Sequence, residues 1–156
     1  MMCRDLMRTP VISAHVNDSA SQTAALMRTR KLGFIPVCDD DGRVVGIVTD
    51  RDLTIRVLAE CNVASTGRLL ARGPLRYVMT TGPVTCAPDD DLELAEELMR
   101  RNHKSRIVCV DAERRPVGVI SLSDIARRDK ASRVGELLRD ITEREVRTPS
   151  SARTRT

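Results

Sequence analysis

Gly46-Ile47-Val48-Thr49-Asp50-Arg51-Asp52 and Gly118-Val119-Ile120-Ser121-Leu122-Ser123-Asp124 share one pattern. Each is a glycine, two β-branched apolar residues, a hydroxyl, two spacers and an acid. The pattern predicts a strand that ends at the hydroxyl and a helix that starts there, which sets a first-turn acid beside free backbone N–H groups. Such a corner can seat a phosphate, and its acid can accept hydrogen bonds from a vicinal diol. Ser/Thr-x-x-Asp is also a capping box, in which hydroxyl and acid serve only the helix. Two copies in register weigh towards a binding role.

The 72-residue offset between the two copies runs through the whole chain. It aligns Met7 with Met79, Thr9 with Thr81, and Leu26-Met27-Arg28 with Leu98-Met99-Arg100. It also aligns Ile35 with Ile107, Asp39 with Asp111, Val45-Gly46 with Val117-Gly118, and Leu53 with Ile125. A period this long is not a solenoid unit but a duplicated domain.

Each half reads β-α-β-β-α. In the first, Thr9-Pro10-Val11-Ile12-Ser13 predicts a short strand with Pro10 at its start. Asp18 or Ser19 can cap a helix to about Lys31, and Gly33 is placed to end it. Phe34–Cys38 and Arg43–Thr49 form a hairpin around Asp39–Gly42, and a helix runs from Asp50 to about Glu60. In the second, Val84–Ala87 is a strand, and Asp89–Asp91 cap a helix to about Asn102. Arg106–Asp111 and Val117–Ser121 form the hairpin, and Ser123 to about Asp129 the closing helix. The expected organisation is repeat 1 over 3–60, a linker over 61–77 with Gly67, Gly73 and Pro74, and repeat 2 over 78–130. An amphipathic helix follows over 131–146, with Val134, Leu137, Leu138 and Ile141 at helical spacing. The basic end, 147–156, has almost nothing to bury and reads as disordered. About three short strands with helices on one face leave the other sheet face bare. The expected fold is therefore α+β, with two repeats packed sheet to sheet about a pseudo-two-fold axis.

Composition narrows the function. Of 156 residues 41% are hydrophobic, yet Phe34 and Tyr77 are the only aromatics, so Val, Ile, Leu, Met and Ala must build the core. That argues against stacking bases of a single-stranded nucleic acid. The net charge of +4 falls to +1 without the three arginines of the last ten residues, so nucleic-acid binding is not expected. No apolar run reaches the ~20 residues of a membrane span, and no signal-peptide core opens the chain. Cys3, Cys38, Cys61, Cys86 and Cys109 are odd in number and form no CxxC. They read as small buried hydrophobes of a reducing compartment, which makes a cytoplasmic location the expectation. His15 and His103 are isolated, and the Asp39–Asp41 and Asp89–Asp91 runs serve a turn and a cap, so no metal site is expected. There is no GxGxxG, Walker A loop, GxSxG or HExxH, and nothing points to an enzyme.

The ordered set Leu6-Met7-Arg8 and Val78-Met79-Thr80, then Ile35-Pro36-Val37, then Gly-x-x-Thr/Ser-x-x-Asp in both halves resembles a tandem pair of CBS domains, or Bateman module. The resemblance covers about residues 3–130. It implies a non-catalytic regulatory sensor binding an adenosyl ligand (AMP, ADP, ATP or S-adenosylmethionine) in clefts between the repeats, with no obligatory cofactor. In the first cleft it implies Asp124 on the ribose hydroxyls and Ser121 and Ser123 near phosphate or ribose. Arg106 would neutralise phosphate, with Val11, Ile12, Leu32 and Gly33 against adenine. Arg106 can also be read as an ordinary solvated cation. In the second and weaker cleft, Asp52 and Thr49 take those roles, opposite Val84, Thr85, Lys104 and Ser105. There Phe34 replaces the arginine, which removes a charge-assisted phosphate contact. Lys104 can partly replace it, and Phe34 can fill the cleft or stack on a base. The resemblance further implies a homodimer, formed through the helices that follow each motif, and an effector on another chain. The rival reading is an assembly module whose clefts are vestigial.

Overall fold

The computed structural model describes residues 1–59, 70–128 and 131–146. Cys61, Gly67 and the basic end lie outside the described residues. A 3-10 turn at Cys3–Asp5 precedes β1 (Ala14–His15), α1 (Ala20–Arg30), β2 (Phe34–Cys38), β3 (Val44–Thr49) and α2 (Asp50–Leu53), which runs on as a π-helical turn to Leu58. The second half repeats this. A 3-10 turn at Leu75–Tyr77 precedes β4 (Thr80–Thr81), β5 (Thr85–Cys86), α3 (Leu92–Arg101), β6 (Arg106–Val110), β7 (Pro116–Ser121) and α4 (Leu122–Ala126). Helix α5 (Ala131–Val146) closes the described chain.

Two sheets result, ordered β1-β2-β3-β4 and β5-β6-β7. The hairpins match in register: Val37 pairs with Gly46, and Cys109 with Gly118. One edge is exchanged between the halves. β4 belongs to the second half by sequence but pairs with β3, Thr80 against Ile47. Its first-half counterpart, Arg8, bridges Val119 of β7. The cores follow the same exchange. Leu75 and Val78 are buried with Ile35, Val37 and Val48, whereas Cys3 is buried with Ile107, Cys109 and Ile120, and Met7 packs beside it. Each half therefore lends its opening segment to the other.

The paired glycines have a steric cause. A Cβ on Gly46 would lie 2.5 Å from Met79 Sδ, and one on Gly118 would run into the Met7 side chain. The glycine of one half is thus the seat for the methionine of the other. The bare sheet faces meet as expected. Cys38, Val44 and Val108 are buried together, flanked by Phe34, Ile47 and Val110, and Val44 N donates to Arg114 O at 3.0 Å.

Three local expectations are corrected. The strand expected over Thr9–Ser13 lies at Ala14–His15, parallel to β2. Pro10 offers no N–H to a ladder, and this stretch carries the chain from the edge of one sheet to the other. Helix α1 runs to Arg30, close to the expected end, but the left-handed residue that closes it is Lys31, at φ 54°, and not Gly33. His103, its counterpart, has φ 50°. Gly33 lies instead against the Asp50 side chain, whose Oδ2 would sit 3.0 Å from a Cβ there. Ser19 caps α1 in a capping box with Gln22, whereas Asp91 caps α3 without a side-chain bond and Asp90 accepts from Ala87 N at 2.7 Å.

Helix α5 lies on α3 and α4. Leu137 and Ile141 enter the second core. Arg100 Nε donates to Asp140 at 2.8 Å, and Arg133 to the buried Glu96 at 2.7 Å.

Candidate functional site

Ser121 ends β7 in extended conformation, at φ −114° and ψ 157°. Its N–H donates to Asp124 Oδ2 at 3.1 Å, its hydroxyl donates to the same oxygen, and it accepts from Asp124 N at 3.2 Å. Thr49 and Asp52 repeat the arrangement, with the Thr49 hydroxyl on Asp52 Oδ2 at 2.7 Å and Thr49 N at 2.9 Å. The capping box is complete in both halves.

It consumes only one oxygen of each acid. The other looks away from the cap and holds a guanidinium. Asp124 Oδ1 takes Arg8 Nε at 2.6 Å and has Arg127 at 3.6 Å. Asp52 Oδ1 has Arg56 at 3.3 Å and the Thr80 hydroxyl at 3.5 Å. The Asp124 side chain is 6% exposed and that of Asp52 15%. Burial alone would raise the Asp124 pKa. The hydrogen bonds from Ser121 and Arg8 outweigh burial and hold the carboxyl below its ordinary value. A ligand diol that uses Asp124 Oδ1 must therefore share that oxygen with Arg8 or displace it.

The helix-dipole expectation is weakened. Helix α4 is five residues long and α2 four before its π turn, too short for a large aligned dipole. Hydroxyls and cations dominate the local field instead. Arg106 is the strand partner of Ser121 and is exposed, and its guanidinium lies 5.9 Å from the centre of the Phe34 ring. These two side chains occupy equivalent positions of the two halves, so they meet at the pseudo-two-fold axis.

One cavity of about 360 Å³ brings Ser105, Arg106, Ser121 and Ser123 together, with Leu122, Ala126, Val134 and Leu138 completing its wall. Ser105, expected opposite Asp52, thus shares a cavity with the Asp124 motif, and its carbonyl accepts from Leu122 N at 2.9 Å. Val11, Ile12 and Leu32 are partly buried in the stretches leading into β1 and β2, and Gly33 lies against Asp50. Val84 and Thr85 are partly buried and Lys104 is exposed. The roles of Arg8, Arg56 and Thr80 were not legible in the motif. A signal for Arg8 existed: at the 72 offset it stands where the second half has Thr80.

Cys3, Cys38, Cys86 and Cys109 are buried, and burial pushes the Cys3 thiol up to about 11. Among the described residues, no group of three or more His, Cys, Asp or Glu is arranged to hold a metal ion. Among them too, no helix is long and apolar enough to cross a membrane.

The CBS domain family profile matches residues 3–59 and 75–131. The chain is 35% identical over 127 residues to Hypoxic response protein 1 of Mycobacterium tuberculosis, covering 80% of this chain and 82% of that one. Its fold is similar to a CBS domain protein of Pyrobaculum aerophilum solved with AMP, at 24% identity, TM-score 0.70, and 88% and 98% of the two chains. It is also similar to a CBS domain pair solved with 5′-methylthioadenosine and S-adenosyl-L-methionine, at 25% identity, TM-score 0.66, and 81% and 94% of the two chains.

Proposed function

The chain belongs to the CBS-domain family, and on that premise we propose that it is a non-catalytic regulatory module that binds an adenine nucleotide or related adenosyl ligand between its repeats. The observation that carries this reading is the divided use of Asp124. One oxygen is fixed by the Ser121 cap, and the other is held by Arg8, from the first half's opening segment. A ribose diol supplies two hydroxyl donors, the chemistry that second oxygen accepts. Arg106 and the hydroxyls of Ser121 and Ser123 line the adjoining cavity and suit the 5′ end of such a ligand. Relatives solved with AMP, 5′-methylthioadenosine and S-adenosyl-L-methionine support this ligand class.

The Asp52 corner is the weaker site in this reading. Phe34 stands where the first site has its arginine, and Arg56, from the next helical turn, already sits on Asp52. Ligand entry at Asp124 weakens or breaks an ion pair between segments 116 residues apart, Arg8 to Asp124. The relative population of open and closed arrangements shifts accordingly, and an effector protein reads the shift. Homodimerisation would use the helices beginning at Asp50 and Ser123; Ile55 (49% exposed) and Leu58 (65%), just past Asp50, offer apolar surface for it.

The rival reading, a ligand-independent assembly module, draws on the same ion pair, because Arg8 already satisfies Asp124. Isothermal titration with AMP, ADP, ATP and S-adenosylmethionine separates the two. The expected result is saturable heat with at least one ligand and a loss of about ten-fold or more in affinity in Asp124→Ala, the size of one to two charged hydrogen bonds. No heat from any of the four, with an unchanged melting temperature, favours the assembly module.

A further inference from the structure

Helix α5 lies almost wholly beyond the second family match, which ends at residue 131, yet it borders the cavity beside the candidate site, whose lining includes Ser121 and Ser123 but not Asp124 itself. Its Leu137 and Ile141 are buried in the second core, and the Arg100–Asp140 and Arg133–Glu96 ion pairs pin it to α3. That anchoring turns a different stripe outward. Val134 and Leu138, one helical turn apart, face the cavity that holds Arg106, Ser121 and Ser123 on its other side. Leu138 is 46% exposed although it sits beside fully buried Leu137. The wall of the cavity thus joins Arg106 and three serines to the apolar Leu122, Ala126, Val134 and Leu138. Arg106 is the one cation among the described residues that line it.

We infer that α5 is the outer wall of the cavity beside Asp124 and selects the ligand by its 5′ end, admitting a short, partly apolar substituent or a single phosphate and disfavouring a polyphosphate. This rests on the proposed adenosyl-binding function and deepens it. One guanidinium offsets at least about half of the charge of one phosphate monoester, about −1.5 to −2 at pH 7, and none of the charge of further phosphates. The further phosphates of a triphosphate would be pressed against Val134 and Leu138 and lose water without gaining partners. A thioether or a single phosphate leaves that wall in favourable contact. Because α5 then touches the ligand, it is also the element through which occupancy is felt.

The test is isothermal titration of the full chain with 5′-methylthioadenosine, AMP and ATP, for the wild type, Leu138→Ala and Leu138→Glu. Amide hydrogen exchange with and without AMP accompanies it. The wild type is expected to bind 5′-methylthioadenosine and AMP at least about ten-fold more tightly than ATP. Leu138→Ala should weaken 5′-methylthioadenosine by about five-fold, in line with apolar surface returned to water, and Leu138→Glu should weaken AMP by more than that through like charge. Amides of α5 should gain protection with AMP. Since Leu138 is half exposed, unchanged circular dichroism will show that both variants fold. ATP binding as tightly as AMP, or both variants binding like the wild type with α5 unprotected, overturns the inference and leaves the adenosyl reading standing. No heat from any of the three ligands with the wild type overturns both.

Discussion

At Gly118 the backbone passes so close to Met7 that a methyl group has nowhere to go. Gly118→Ala is expected to destabilise the fold by about 1–3 kcal/mol, the usual range for overpacking, read as a lower urea midpoint with unchanged slope. Asp124 yields a second residue-scale prediction. Its carboxyl is held below its ordinary value against the effect of burial. A depressed folded pKa contributes stability that is complete above the unfolded pKa of about 3.9 and lost as pH falls through the folded one. The wild type should therefore lose stability below about pH 4, and Asp124→Asn should flatten that part of the profile. Urea midpoints at pH 7 and pH 3 measure it. An equal drop in both proteins would mean that Asp124 is not a contributor.

Helix α5 shows how one element can be fixed by ions and core together. Glu96 is 3% exposed, with one oxygen on Arg133 and the other, Oε1, without a hydrogen-bond partner among the described residues. A buried carboxylate that loses its cation is costly, while a buried pair replaced by apolar atoms is often neutral. Arg133→Met is thus expected to lower stability by about 1–3 kcal/mol, and Glu96→Met to change it much less or to raise it. Thermal melts of both variants and of the double variant decide between this account and one in which the pair is a net stabiliser. The caps at Thr49 and Ser121 also belong to this scale. They explain why helices of four and five residues start where they do.

For the whole molecule, the exchange of opening segments makes the two halves one folding unit. Met7 lies in the first repeat by sequence and against the second core in space. Met7→Ala should cost about 1–3 kcal/mol, at or below the low end of the range for truncating a core methionine, because Met7 is only partly buried. Its effect on amide exchange should appear around Ile107 and Ile120, not around Ile35. A chain whose halves stood apart would show the reverse, and would melt in two steps instead of one.

The offset of 72 was legible because it needs only matching residues, and the two hairpins, a cap at Asp18 or Ser19 and the paired Thr49/Asp52 and Ser121/Asp124 corners because each depends on residues within a turn or a strand of one another. That the bare sheet faces pack on each other followed from the same local patterning, while the residues that meet there, Val44 and Val108 among them, are set by the tertiary structure. The left-handed ends at Lys31 and His103 were not legible, since neither is a glycine and only the packed chain forces that conformation. The sequence by itself determined a duplicated α+β chain and the position of its two acids. Only the tertiary structure decided that Arg8 sits on Asp124, that Phe34 meets Arg106, and that α5 walls the cavity. Those contacts join segments tens of residues apart, and long-range pairings are set by how whole sheets and helices close on each other, which no local periodicity records.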